Sequence, residues 1–107
     1  IAVNLNTMKQ TLASGFCFTF GFLVYSSFVS LNVSKTGIVP IPGPREQLLG
    51  GHAVVCVGYD DATQRFIVRN SWGTNWGDKG YFYMPFKVIQ NSTMSDDFWV
   101  IKSVNNP

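Results

Sequence analysis

Phenylalanine occupies every second position from Phe16 to Phe22, with Cys17, Thr19 and Gly21 between. That period of two predicts a strand over Phe16–Tyr25 with one face buried. Ahead of it, Asn4 to Ser14 reads as a short helix: Asn6 or Thr7 can cap it, Met8 and Leu12 share a face, and Gly15 stops it. Behind it, residues 26–50 hold Pro40, Pro42, Pro44 and several glycines. They read as a long connection with one helical turn at Ser26–Val29. Strand patterns return at Ala53–Tyr59 and Arg65–Asn70, joined by a turn at Asp60–Gln64. A glycine-punctuated loop Ser71–Lys79, a strand Gly80–Met84, a turn Pro85–Gln90 and a last strand Phe98–Ser103 follow. One helix and then mostly antiparallel strands predict a mainly β (α+β) fold, a small antiparallel open barrel forming a single domain over residues 1–107.

Composition sharpens this picture in one respect. Hydrophobic residues make up 46% of the chain and aromatics 15%, which is enough for a core, but charged residues only 13%. So little charge leaves little surface set aside for solvation. The imbalance fits a chain that buries a face against something else, or a compact aromatic-rich β domain. The net charge of +2 is scattered, which argues against nucleic acid or an anionic membrane as partner. The longest apolar run, Gly15–Val29, is broken by glycines and polar residues and does not read as a membrane span. Cys17 and Cys56 each sit in an apolar run, where a free buried thiol is expected.

The candidate chemistry lies between residues 50 and 82. His52, the only histidine, heads one strand pattern and Asn70 ends the next. A hairpin folded at the intervening turn brings both side chains to the same end of its ladder. An amide oxygen accepting the Nδ1–H of His52 would fix the tautomer and leave Nε2 free. Alone, the pair also describes an ordinary structural hydrogen bond. Its setting says more: Trp72 can lie over that bond and exclude water. Gly73, Gly77 and Gly80 let the loop turn tightly around Trp72 and Trp76, and Gly50-Gly51 leaves space beside His52. An imidazole oriented by an amide is the arrangement that activates a thiol. Neither cysteine suits that role, because Cys56 lies four extended residues beyond His52, roughly 13 Å away, and Cys17 lies in the phenylalanine strand. Ser71 is a weaker alternative nucleophile, and Asp60, Asp61 and Asp78 read as turn formers. One histidine with scattered carboxylates gives no metal-ligand spacing, and no cofactor is expected.

The segments GGHAVVCVGYDD, RFIVRNSWGTNWGDKGYFYMP and DDFWVI resemble the C-terminal half of papain-like cysteine peptidases, and Leu12–Ser30 resembles the strand and turn that precede the histidine there. The resemblance implies the right-hand, barrel half of the papain fold. It implies His52 as general base and imidazolium partner, Asn70 as its orienting residue, and Trp72, with Gly73 and Trp76, as the shield. It places Gly50 and Gly51 on the leaving-group side and Ala53 in the main specificity pocket. In that family the nucleophilic cysteine starts a long helix in the other half, with a glutamine contributing to the oxyanion hole, and that motif does not occur in these residues. The expectation is therefore a fragment that hydrolyses peptide bonds only when a separate segment supplies the thiolate, and that is inactive alone. Its expected partners are a peptide substrate and, over the apolar cleft face, a second chain or its own copy, by exchange of Ser26–Gly50. The other expectation is a non-catalytic binding or self-associating structural module that keeps the fold.

Overall fold

Asn4 caps the first helix: its backbone is extended, and its side-chain oxygen accepts from the backbone N–H of Asn6 at 2.9 Å and of Thr7 at 3.3 Å. Asn6 and Thr7, expected to cap, are instead the donors, because a cap must precede the first helical turn. The computed structural model describes residues 4–91 and 94–101. In it α1 spans Leu5–Ala13, with Met8 fully buried and Leu12 packed on the core.

Strand β1 runs over Cys17–Tyr25. Phe18, Phe20, Phe22 and Val24 are buried, as a period of two demands. Phe16 departs from the expected pattern: it precedes the strand and is 38% exposed. Its N–H still bonds the carbonyl of Thr11, so the helix C-terminus holds it before the chain becomes extended. Completely burying one such ring is worth roughly 2–3 kcal/mol, so β1 is the spine of the core. Phe20 stacks on Phe98, with centroids 5.7 Å apart, and Phe18 meets Phe66 edge-on at 6.1 Å.

The connection after β1 is more ordered than its composition suggests. A 3₁₀ turn over Ser26–Val29, as expected, leads into a further helix, α2 (Leu31–Thr36). Ser30 caps α2 through Val33 N–H, and Gly37 ends it at φ 75°. A serine and a glycine seven residues apart are the start and stop signals that mark this helix. Strand β2 (Leu48–Asp60) begins five residues before the expected Ala53, because Leu48–Gly51 pair with Leu23–Tyr25 of β1. Pairing there overrides the glycine pair, which reads locally as a strand breaker.

The rest is β3 (Arg65–Arg69), β4 (Tyr81–Pro85), α3 (Phe86–Gln90) and β5 (Ser95–Ile101). Residues 86–90 form a short helix where a turn was expected, and β5 starts three residues before Phe98; residues 102 and 103 of the expected strand lie outside the described residues. The strands make one antiparallel sheet in the order β4-β3-β2-β1-β5, which does not close. Met8 of α1, Val33 of α2 and Val88 and Ile89 of α3 share one core with the phenylalanines of the sheet. The mainly β architecture with a leading helix is the one the sequence predicts.

Candidate active site

His52 lies on β2 opposite Phe22 of β1. Asn70 follows the last residue of β3, and its N–H bonds the carbonyl of Gly80, which pins it as the chain leaves the sheet. The β2–β3 register sets Val55 against Arg69, so the hairpin brings positions 52 and 70 to one end of its ladder.

There Nε2 of His52 stands 2.8 Å from Oδ1 of Asn70. The same oxygen accepts the N–H of Ser71 at 2.8 Å. That second bond fixes which end of the carboxamide is oxygen, so the imidazole must donate from Nε2. The neutral ring is then the Nε2–H tautomer, with its lone pair on Nδ1. This reverses the nitrogen assignment expected from the hairpin. Asn70 sits beyond the end of β3, where the distal ring nitrogen reaches it.

Asn70 is 6% exposed and His52 half-buried. The indole of Trp72 stacks on the imidazole, with centroids 5.0 Å apart and planes 25° apart. Trp76 meets Trp72 edge-on at 5.1 Å, and Phe28 touches both, at 5.5 Å and 5.3 Å. Phe22 meets His52 edge-on at 5.9 Å. Phe28 was not singled out in the sequence, although its place in the helical turn after β1 is the signal. An aromatic wall beside a polar pair lowers the local dielectric and strengthens the hydrogen bond.

Two glycines hold the loop that carries both tryptophans. A Cβ on Gly77 (φ 65°) would stand 2.5 Å from the carbonyl oxygen of Tyr81, and one on Gly37 (φ 75°) 2.7 Å from the same atom. Gly77 N–H also bonds the carbonyl of Ser34 at 2.7 Å, so α2 clasps the loop. Gly73 starts the turn to Trp76, whose N–H bonds its carbonyl at 3.4 Å.

Gly51, His52 and Ala53 line an open pocket of about 400 Å³ together with Gly21, Ser95 and Asp96. Gly50 is not in that lining and pairs with Val24. Gly21 and Asp96 were not singled out in the sequence; only the strand register brings them here.

The thiols stand apart. Cys56 is buried among Phe18 and Val68, its S–H directed at the carbonyl oxygen of Gly58, and burial pushes its thiol far above the ordinary range. Cys17 is free but half-buried, not buried as expected, because it lies on the face of β1 opposite the phenylalanines. It is five residues from Phe22, the partner of His52, which is roughly 16 Å along the strand. Ser71 is exposed and tied to Asn70 through its backbone. The carboxylate of Asp78 accepts from the Tyr83 hydroxyl, that of Asp60 from Ala62 N–H at 3.0 Å, and Asp61 pairs with Lys9. All three serve turns and packing.

Known proteins match most of this chain. Residues 3–101 match the papain family cysteine protease model. The chain is similar to an uncharacterized peptidase C1-like protein of Acanthamoeba polyphaga mimivirus, 49% identical over 100 residues covering 94% of this chain and 32% of that protein. It is also similar to a cathepsin B-like protein, CP3, of Giardia intestinalis, 40% identical over 78 residues covering 70% of this chain and 24% of that protein. The crystal structure of xylellain, a cysteine protease from Xylella fastidiosa, superposes with a TM-score of 0.88 at 50% identity, over 97% of this chain and 38% of that one. The chain thus spans about a third of the length of these relatives.

Proposed function

The chain belongs to the papain family of cysteine proteases, and from that premise we propose that it is the histidine-and-asparagine side of a peptide-cleaving cleft. The thiol comes from a segment outside these residues. The observation that carries this reading is the 2.8 Å bond from His52 Nε2 to Asn70 Oδ1 under the Trp72 indole.

With Nε2–H engaged, Nδ1 is the nitrogen left for sulfur. It takes the thiol proton, giving a thiolate and an imidazolium. The thiolate attacks the peptide carbonyl, and the tetrahedral intermediate collapses as the imidazolium protonates the departing amine. The acyl-thioester is then hydrolysed by water whose proton goes to Nδ1, and the released thiolate completes the cycle. Asn70 acts as a positioning residue: it keeps the ring in one tautomer and orientation and stabilises the imidazolium. Gly51 and Ala53 flank the bound substrate.

Val29, Leu31, Leu48, Leu49 and Trp72 are all exposed apolar residues, and their exposure supports a covering partner. That partner is the thiol-bearing segment or a second copy of this chain; a self-associating module without turnover is the reading favoured if only the copy binds.

A chimera in which this chain replaces the matching portion of xylellain tests the catalytic reading. The expected result is thiol-dependent peptide hydrolysis that disappears in His52→Ala, while the isolated chain hydrolyses nothing. A folded chimera without activity, or with activity indifferent to His52, would overturn it. Light scattering on the isolated chain at micromolar concentration tests association, and a monomer would count against it.

A further inference from the structure

We propose that the pocket beside His52 accepts a basic side chain, lysine or arginine, and that Asp96 selects it. The proposal starts from the sheet register. Ala53 of β2, Gly21 of β1 and Asp96 of β5 form one row across three neighbouring strands. On β1 this row is the face opposite Phe18, Phe20 and Phe22, so it lies outside the core. A methyl group, no side chain and a carboxylate thus stand side by side, and the gap at Gly21 is the floor of the pocket of about 400 Å³.

A bulge decides which aspartate arrives there. Thr19 pairs with Trp99 and Gly21 with Asp96, so the single residue Phe20 faces two residues of β5. Asp97 absorbs the extra residue at φ 59°. Strict alternation from the buried Phe98 would send Asp96 toward the core; the bulge turns it out into the pocket. The two carboxylates then differ in employment. Asp97 accepts from the indole N–H of Trp99 at 2.7 Å, whereas Asp96 has no ion pair among the described residues.

The chemistry at the floor has one sign. Around the point where a Cβ on Gly21 would stand, the three nearest heavy atoms are the Asp96 carboxylate Oδ1 at 3.4 Å, the Asp96 carbonyl oxygen at 3.8 Å and the His52 carbonyl oxygen at 3.9 Å. Oxygen acceptors with a net negative charge favour a donor cation over a carboxylate or a bare hydrocarbon end. The rim, with Leu23 and Met94, suits the methylene stem of lysine or arginine.

Calling the ligand a substrate side chain rests on the peptidase reading above; the pocket's preference does not, and the test reads binding without hydrolysis. The ¹⁵N-labelled chain is titrated with N-acetyl-arginine methylamide and N-acetyl-leucine methylamide. The expected result is saturable shifts at Gly21, Ala53 and Asp96, with arginine bound about fivefold tighter than leucine, the scale of one partly exposed charge pair. That preference shrinks in high salt. Asp96→Asn removes it while leaving the core resonances of Phe66 and Phe82 in place, and Gly21→Ala weakens both ligands by filling the floor. Equal binding of the two ligands, no saturable shift from either, or a preference that survives Asp96→Asn overturns the proposal. Failure of the xylellain chimera to cleave any peptide would instead remove the catalytic reading.

Discussion

The carboxamide oxygen of Asn70 holds two donors at once, Nε2–H of His52 and the backbone N–H of Ser71, each at 2.8 Å. The second bond makes the first unambiguous. An amide turned end over end would present NH₂ to a backbone N–H, and the orientation that avoids this sets the tautomer of the histidine. A backbone constraint at residue 71 therefore decides which ring nitrogen of His52 carries the hydrogen and which keeps its lone pair.

Asn70→Ala is expected to cost about 1–3 kcal/mol of stability, since two donors in a largely buried site lose their acceptor. Urea unfolding measures it. ¹⁵N spectra of neutral His52 should change from the single Nε2–H tautomer to a mixture, and Asn70→Asp, which keeps an acceptor oxygen, should restore the single form. An unchanged tautomer in the alanine variant would show that something other than Asn70 orients the ring.

Gly77→Ala forces a Cβ to within 2.5 Å of the Tyr81 carbonyl oxygen at a left-handed φ. The expected loss is about 2 kcal/mol or more. Because the Trp72–Trp76 loop must shift to relieve the clash, the tryptophan emission should move to longer wavelength. A variant as stable as the parent, with unchanged emission, would mean that Gly77 is not held against the Tyr81 carbonyl.

Alkylation separates the two thiols. Burial raises the Cys56 thiol, so at pH 8 its thiolate fraction is smaller than that of an ordinary cysteine, and reagent access is closed as well. Iodoacetamide should label Cys17 first and Cys56 only after unfolding, read by mass spectrometry. Rapid native labelling of Cys56 would contradict its place in the core.

Alkaline stability reports the Tyr83–Asp78 contact. The hydrogen bond to Asp78 raises the Tyr83 hydroxyl above its ordinary value. A group raised on folding contributes stability that is present below its unfolded pKa, about 10, and is lost as pH rises through the folded value. Unfolding free energies measured from about pH 9 to 12 should fall more steeply above about pH 10 for the parent than for Tyr83→Phe. Parallel curves would show that the contact does not couple to folding.

The sequence by itself determined the outline of the fold and the meeting of His52 with Asn70 at one end of a hairpin. Phenylalanines at every second position specify one buried strand face, because successive side chains in an extended chain point to opposite sides. His52, Asn70 and Trp72 were legible because a short hairpin fixes their relative positions from local spacing alone. The loop glycines were legible because only glycine turns so tightly at low cost. Other features were decided by contacts between residues far apart in the chain. Leu48–Gly51 became strand because β1 offered them partners, and Phe16 was left out because the end of α1 held it. Which ring nitrogen of His52 meets Asn70 was set by the reach to a residue beyond β3. Gly21 and Asp96, separated by most of the chain, met only through the β1–β5 register and its bulge. Local periodicity carries the orientation of a side chain within its own strand; it carries nothing about which strand becomes its neighbour, and that choice made the pocket.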